Sequence, residues 1–307
     1  MKLGIFWKTK GIIQLILSII PFGIEINHFL QKIRGGYSEE QLLKSALKQA
    51  KEIQEFNKRK TIKSCSVLEI GPGWSLVGII LFHLKGASKI YGFDLFPHAS
   101  FDISKRLIKV ISQNSKIFAD ELAIDELFLK ESCKILLDSN SKNDLFSKLN
   151  LDYYSPGDAR YTNLKSKSID IIFSYGVFEH IPTKKLCEIF KETKRVLKDD
   201  GRQYHNIGLG DHFIYMGLGN GVNFLRYPNW YWFLLTGNSI SYHNRLRISD
   251  YKRIFKKEEL KIVFEDKELL AINLETLKSL PLNISFHGYE NDDLAASAYY
   301  VDLEKYT

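Results

Sequence analysis

Between residues 39 and 56 the apolar side chains Leu42, Leu43, Ala46, Leu47, Ala50, Ile53 and Phe56 recur every three or four positions with charges between them. This spacing puts them on one face of an amphipathic helix. From Ser66 the pattern changes: short apolar runs at 66–70 and 90–95 alternate with helix-period segments at 76–84 and 101–111. Such alternation predicts crossover units and a parallel sheet covered by helices. A polar, helical stretch over 114–150 interrupts the rhythm. Strands are then expected at 151–155, 169–174 and 202–209. Between the last two, a helix over 184–197 carries Leu186, Ile189, Phe190, Thr193, Val196 and Leu197 on one face, with Gly201 as its stop. The alternation lapses again to about residue 246, in a stretch dense in Gly, Trp and Tyr. It resumes with a helix after Ser249, read as an N-cap, and strands at 261–265 and 296–303.

This pattern divides the chain into an N-terminal helical segment, 1–62, and a main domain, 63–307, with insertions at about 114–150 and 211–246. In the first thirty residues Lys2, Lys8 and Lys10 precede an apolar run over 12–20 that Pro21 ends. That run is about half the roughly 20 residues a spanning helix needs, and no small-x-small cleavage site follows it. Two readings stay open: a helix lying in a membrane interface, or one that packs on the domain and covers its pocket.

Composition adds little. An apolar fraction of 45% and a charged fraction of 26% are those of a globular chain. The net charge of +7 admits anionic partners. Its strongest run, Lys58-Arg59-Lys60, closes a polar helix and reads as a solvated helix end, which argues against nucleic acid. Cys65, Cys133 and Cys187 are odd in number and far apart, which fits neither a disulfide framework nor a zinc site. A reducing cytoplasmic setting follows, with attachment at the inner face of a membrane as the other placement. No His/Cys/Asp/Glu spacing along the chain describes a metal site.

The chemistry begins at "VLEIGPGWS", residues 67–75, where a strand enters a glycine-rich turn. Gly71 and Gly73 permit a sharp turn and close approach of a ligand, and Pro72 stiffens it. Leu76 stands where a dinucleotide fingerprint has its third glycine. Glu69 ends the strand as a carboxylate, a poor neighbour for a pyrophosphate and a good one for an ammonium group. Asp94 closes the next strand, where an acid accepts hydrogen bonds from two ribose hydroxyls. Paired acids of this kind suit a nucleoside with an amino-acid tail, the shape of S-adenosylmethionine.

Over about residues 66–209, and again from about 249, the chain resembles class I S-adenosylmethionine-dependent methyltransferases. "LEIGPG" matches the family's first motif, "GFDL" its second, "GDA" at 157–159 its third and "FSYGVFEHI" at 173–181 its fourth. "RVLKDDGR" at 195–202 matches the turn before the fifth strand, with Asp199-Asp200 where Pro-Gly is commoner. The resemblance implies a doubly wound, Rossmann-like α/β fold: a mostly parallel seven-stranded sheet with an antiparallel last strand, N-terminal helices and a helical, aromatic cap. It also implies that Glu69, Gly71, Pro72 and Gly73 meet the methionine portion of the cofactor and Asp94 the ribose. Leu95, Asp158 and Ala159 would meet the adenine, and Ser174 and Tyr175 the methionine side. A turn or cap role is the alternative for Asp158, because Pro156-Gly157-Asp158 is also ordinary turn chemistry.

Methyl transfer to a hydroxyl needs alignment and removal of one proton. His212, just past the fifth strand, is the first candidate for that base, with Asp211 as a polar contact and His180, beside Glu179, as the alternative; His205 falls inside a strand and reads as buried. "YPNWYWFLL" at 227–235 reads as part of an acceptor-binding cap, and Arg245 and Arg247 as cations for an anionic acceptor. This half of the chain also resembles methyltransferases encoded among enzymes of cell-surface polysaccharide synthesis, which implies a sugar hydroxyl on a glycan or lipid-linked precursor. Competing readings are methylation of RNA, lipid or another small molecule, a nicotinamide-dependent oxidoreductase, and a cofactor-binding partner subunit without turnover.

Overall fold

The computed structural model describes residues 3–23, 26–27, 37–212, 221–238 and 240–306. Lys2 and residues 213–220 of the second insertion lie outside them. Seven strands, β1 (Ser66–Ile70), β2 (Lys89–Phe93), β3 (Leu151–Tyr154), β4 (Ile169–Tyr175), β5 (Leu197–Gly208), β6 (Leu260–Leu269) and β7 (Ala296–Lys305), follow the order β3-β2-β1-β4-β5-β7-β6, with β7 antiparallel. This is the doubly wound sheet that the alternation predicts. The order reverses between β1 and β4, which pair in parallel with Glu69 opposite Phe173 and Ile70 opposite Ser174.

The chain forms two compact units, one of residues 1–35, 176–187 and 206–301, the other of 36–175, 188–205 and 302–307. One of their boundaries falls at the end of β4, one within the helix Thr183–Val196, and two within β5 and β7. Helix α1 (Leu3–Ile19) belongs to the first unit and α2 (Glu39–Arg59) to the second.

In the second unit α2 opens with a capping box at Ser38 and Gln41 and buries Leu42, Ala46, Ala50, Ile53 and Phe56. The periodic positions form its core face as expected. A chain of ring contacts ties this helix to the sheet and to α3 (Val77–Leu84). Phe56 lies 5.6 Å from Tyr204, Tyr204 stacks on Phe173 at 5.7 Å, and Phe173 meets Phe82 edge-on at 5.0 Å. The insertion at 114–150 forms three helices whose polar surface encloses a buried apolar face of Phe118, Leu122, Leu129, Leu136 and Leu145.

Two boundary expectations fail for tertiary reasons. Gly201 is no helix stop: α4 (Thr183–Val196) runs directly into β5, and Gly201 lies inside that strand, where a Cβ would come within 2.7 Å of Leu197 Cδ1. Ser249 is not the N-cap of α5 (Ile248–Lys257). Asp293, from a distant segment, accepts from the N–H groups of Ile248 at 2.7 Å and Ser249 at 3.2 Å, while Asp250 accepts from Arg247 at 2.8 Å. A remote carboxylate has taken the role that local sequence assigned to a serine.

The far end of α2 is fixed by a bidentate ion pair: Arg59 donates through Nε to Asp302 Oδ2 at 2.6 Å and through Nη2 to Oδ1 at 3.0 Å, and the Asp302 side chain is fully buried. Removing the guanidinium leaves a buried carboxylate without this partner. Arg59→Ala is expected to cost about 3 kcal/mol, read as a lowered denaturant midpoint; a change below about 1 kcal/mol would show that this pair does not anchor the helix.

Candidate active site

In the second unit the glycine-rich loop leaves β1 with Gly71 at φ 70° and Gly73 at φ 66°. A Cβ built on Gly73 meets no atom within 4 Å, so the backbone there borders open space that a ligand can approach. The Gly71 N–H donates to the Phe93 carbonyl at 2.8 Å, and Pro72 packs toward Gly92, so the loop is tied to β2. Leu76 adopts φ 56° and is buried. The position of the missing third glycine is thus taken by a leucine in a left-handed conformation, a costly arrangement held by its burial.

Glu69 is 3% exposed. Its carboxylate accepts from the Ile79 N–H in the first turn of α3, leaving Oε2 without a partner. Gly78 makes room for it, since a Cβ there would lie 2.5 Å from Oε1. The helix N-terminus that a dinucleotide site offers to pyrophosphate is therefore already occupied by a carboxylate. Burial, and then the Asp94 carboxylate, push Glu69 up to about 8.

Asp94 is buried and reaches the loop, accepting from the Gly73 N–H at 3.3 Å and the Phe96 N–H at 3.4 Å, with His98 Nδ1 3.3 Å away. Its own carbonyl accepts from the Gly157 N–H at 2.8 Å, which brings the third motif beside the second. The two acids share one poorly solvated crevice. A ligand bearing positive charge relieves their repulsion and a diphosphate would add to it. The orphaned Glu69 oxygen and the open space at Gly73 fit the amino-acid end of S-adenosylmethionine.

The remaining cofactor candidates divide. Leu95 is 56% exposed beside Asp94, and Ala159 is buried. Asp158 receives Arg160 through Nε at 2.9 Å and Nη2 at 2.6 Å as well as the Arg160 N–H, so its carboxylate also serves the turn. Ser174 Oγ is fully buried against His205 Nδ1 at 2.9 Å, which turns its hydroxyl into the core and leaves Tyr175 to end the strand. His205 is buried as expected, and burial lowers it to about 3. Sequence reading missed the aromatic neighbours of the loop. Trp74 lies 5.1 Å from His98 and 6.3 Å from Tyr37, and the Tyr153 hydroxyl accepts from the Ala99 N–H at 3.4 Å.

In the first unit the structure gathers three histidines. His212 stacks on His243 at 4.2 Å, His180 lies 4.9 Å from His212, and His180 and His243 are 5.8 Å apart. His180 Nδ1 faces the Tyr242 carbonyl at 2.9 Å; a carbonyl only accepts, so Nδ1 carries the proton and Nε2 keeps its lone pair. Glu179 is 3% exposed, accepts from the Gly208 N–H at 3.2 Å, and is pushed up to about 8 by burial. Asp211 is buried, and its N–H donates to the Gly221 carbonyl at 2.8 Å. His243 was not singled out by its sequence, and nothing local marks it.

The two arginines do not serve as free cations. Arg247 is fully buried, donates to the Leu209 carbonyl at 2.6 Å and lies 5.3 Å from the Phe224 ring. Arg245 donates to the carbonyls of Phe224 and Tyr227 at 2.8 and 2.6 Å and lies 4.9 Å from the Phe286 ring. Both were expected to face an anionic acceptor. Arg247 instead braces the fold, and the Arg245 guanidinium is committed to carbonyls while its side chain lines a cavity.

Glu69 carries a testable pH signature. Its pKa in the folded chain, about 8, exceeds the ordinary value of 4.5, so between these limits the folded state holds a proton that the unfolded state releases. The stability this contributes is complete below about pH 4.5 and is lost as pH rises through about 8. In the cofactor-free protein, thermal midpoints of wild type and Glu69→Gln should agree near the lower limit and separate above it, the variant being the more stable. Parallel curves would show that the carboxyl is ionised throughout.

Residues 128–204 match the family model described as a methyltransferase domain, a span that carries Asp158, Ser174 and His180. No curated protein matches the chain. Among solved structures, geranyl diphosphate C-methyltransferase from Streptomyces coelicolor A3(2), crystallised with Mg2+, geranyl diphosphate and S-adenosyl-L-homocysteine, is 12% identical, with 87% of this chain and 83% of that one covered and a TM-score of 0.46. Magnesium protoporphyrin IX methyltransferase from Synechocystis PCC 6803, with bound S-adenosylhomocysteine, is 11% identical over 85% of this chain and 83% of that one, with a TM-score of 0.45. With the domain match lying across the third and fourth motifs of a sheet wound in the expected order, the chain is a methyltransferase that uses S-adenosylmethionine.

Proposed function

We propose that the chain methylates a sugar hydroxyl on a glycan or lipid-linked precursor. The observation that carries this reading is a cavity of about 590 Å³ in the first unit, lined by Trp230, Trp232, Phe233, Asn229, Arg245 and His243 among others. Flat aromatic faces with a few directed polar groups suit a sugar ring. His243 forms part of the cavity wall and stacks on His212, so the imidazole cluster adjoins the space.

The cofactor supplies an electrophilic methyl carbon on a sulfonium. Glu69, Gly71, Pro72 and Gly73 would hold its amino-acid end, Asp94 the ribose hydroxyls, and Leu95, Asp158 and Ala159 the adenine, with Tyr175 on the methionine side, the Ser174 hydroxyl being committed to His205. His212 takes the proton of the acceptor hydroxyl, and Asp211 and His180 are its polar neighbours. Incubation with candidate glycans, lipid-linked sugars, lipids and RNA, read by mass spectrometry, tests the acceptor: a gain of one methyl group on lipid or RNA but on no sugar overturns this choice. Asp94→Ala should weaken cofactor binding about tenfold to a hundredfold by calorimetry. His212→Ala should leave that binding intact and lower turnover about a hundredfold or more; undiminished turnover removes His212 from the role.

Attachment to a membrane surface is the second part of the proposal. Helix α1 buries Gly11 and Gln14 while Ile12, Ile13, Ile16, Ile19 and Ile20 are exposed, the reverse of a helix that packs its apolar face inward. It contacts the helix Asn229–Thr236, whose Trp230, Phe233 and Leu234 are also exposed. Among the described residues no helix is long and apolar enough to cross a membrane, but an exposed isoleucine face suits insertion to headgroup depth. The protein should co-sediment with anionic lipid vesicles, and Ile16→Glu with Ile19→Glu should abolish this; wild type remaining in the supernatant would sink the idea.

A further inference from the structure

We infer that Glu179, His180 and His212 form a binding site for a divalent transition-metal cation. The inference concerns the cluster used in the reading above and rests on that reading for its role in catalysis, though not for the binding itself. One ligand atom from each residue lies within 4.8 Å of the others. A tetrahedral site with bonds of about 2.0–2.1 Å needs ligand atoms about 3.3 Å apart, so small side-chain rotations close it.

Three features prepare these groups. First, Glu179 is held in place while one oxygen stays available. Oε1 accepts from the Gly208 N–H, a Cβ on Gly208 would lie 2.4 Å from that oxygen, and Oε2 is buried with no partner. The turn that carries it is pinned by Asn244, whose N–H donates to the Glu179 carbonyl at 2.8 Å and whose side-chain amide donates to the carbonyls of Phe178 and Ile181 at 2.8 and 3.0 Å. Second, the His180 Nδ1–H donates to the Tyr242 carbonyl, the arrangement by which metal-binding histidines are oriented with Nε2 toward the ion.

Third, His243 is 5% exposed, stacks on His212, and has neither ring nitrogen hydrogen-bonded. Two buried, unpartnered polar groups at one place mark a spot built for a polar ligand, because folded chains leave few such groups. The guanidiniums of Arg245 and Arg247 are the nearby positive charges, and each is turned onto backbone carbonyls, with Asp250 and Asp293 among the groups acting on Arg247.

Two imidazoles with one carboxylate select a zinc-like cation over magnesium or calcium, which prefer oxygen donors throughout. Three protein ligands leave a position open for the acceptor hydroxyl, which ionises more readily when bound to a cation. With the ion bound, His212 acts through it in place of taking the proton directly: the hydroxyl proton passes to solvent water, and the turnover lost in His212→Ala then reports loss of the ion.

The full chain, stripped with chelator and titrated calorimetrically, should bind one Zn2+ and show no comparable heat with Mg2+. Co2+ should give a visible absorption band of nitrogen ligation. His180→Ala and His212→Ala, with circular dichroism unchanged, should each weaken Zn2+ binding at least about tenfold to a hundredfold and remove the Co2+ band, while His287→Ala, at an exposed histidine elsewhere, should do neither. Absence of Zn2+ uptake by the folded wild type, or uptake indifferent to both cluster variants, overturns the inference. Zinc binding without methylation of any sugar would keep the site and defeat the acceptor reading; sugar methylation by a chain that binds no zinc would do the reverse.

Discussion

A carboxylate removed from water at the end of a strand costs several kcal/mol unless donors or a cation meet it. Among the described residues, Glu69 near the end of β1 and Glu179 in the turn after β4 are two such groups. Glu69 and Glu179 are each 3% exposed, each is pushed up to about 8 by burial, and each has one oxygen with no partner. Each is also seated over a glycine, Gly78 or Gly208, where a Cβ would fall within 2.5 Å of Oε1. The fold therefore gives up side-chain volume at two places to house a carboxyl group it does not fully satisfy. Such sites persist where a ligand supplies the missing partner.

At Glu69 the missing partner fits the amino-acid end of S-adenosylmethionine, and the same carboxylate disfavours a diphosphate at the glycine-rich turn after the first strand. It accepts from an N–H in the first turn of α3, the position that would otherwise attract phosphate. Asp94 adds a second negative charge to the crevice, joined to the loop through the Gly73 N–H. The electrostatics that favour a cationic group in this crevice thus come from two acids and one occupied helix end, and glycine spacing alone does not encode them.

Tertiary contacts also reassign residues whose types suggested other work. Arg247 looks like a surface cation in sequence but is buried, with its guanidinium donating to the Leu209 carbonyl. Ser249 looks like a cap but is displaced from the role by Asp293. Ser174 looks like a pocket hydroxyl but bonds His205 in the core. In each case a partner more than 25 residues away decided the outcome, and no local pattern records that partner.

The sequence by itself determined the strands of the sheet, the amphipathic face of α2 and the place of both acids at strand ends, because these follow from side-chain periodicity and from turn residues adjacent in the chain. The glycine-rich turn was legible for the same reason, even with Leu76 in its left-handed position. Only the folded chain could bring His180, His212 and His243 together, or decide that α1 leaves its isoleucines outward. These depend on long loops closing and on which faces find a neighbour, and residues 30 to 60 positions apart carry no common period from which their meeting could be read.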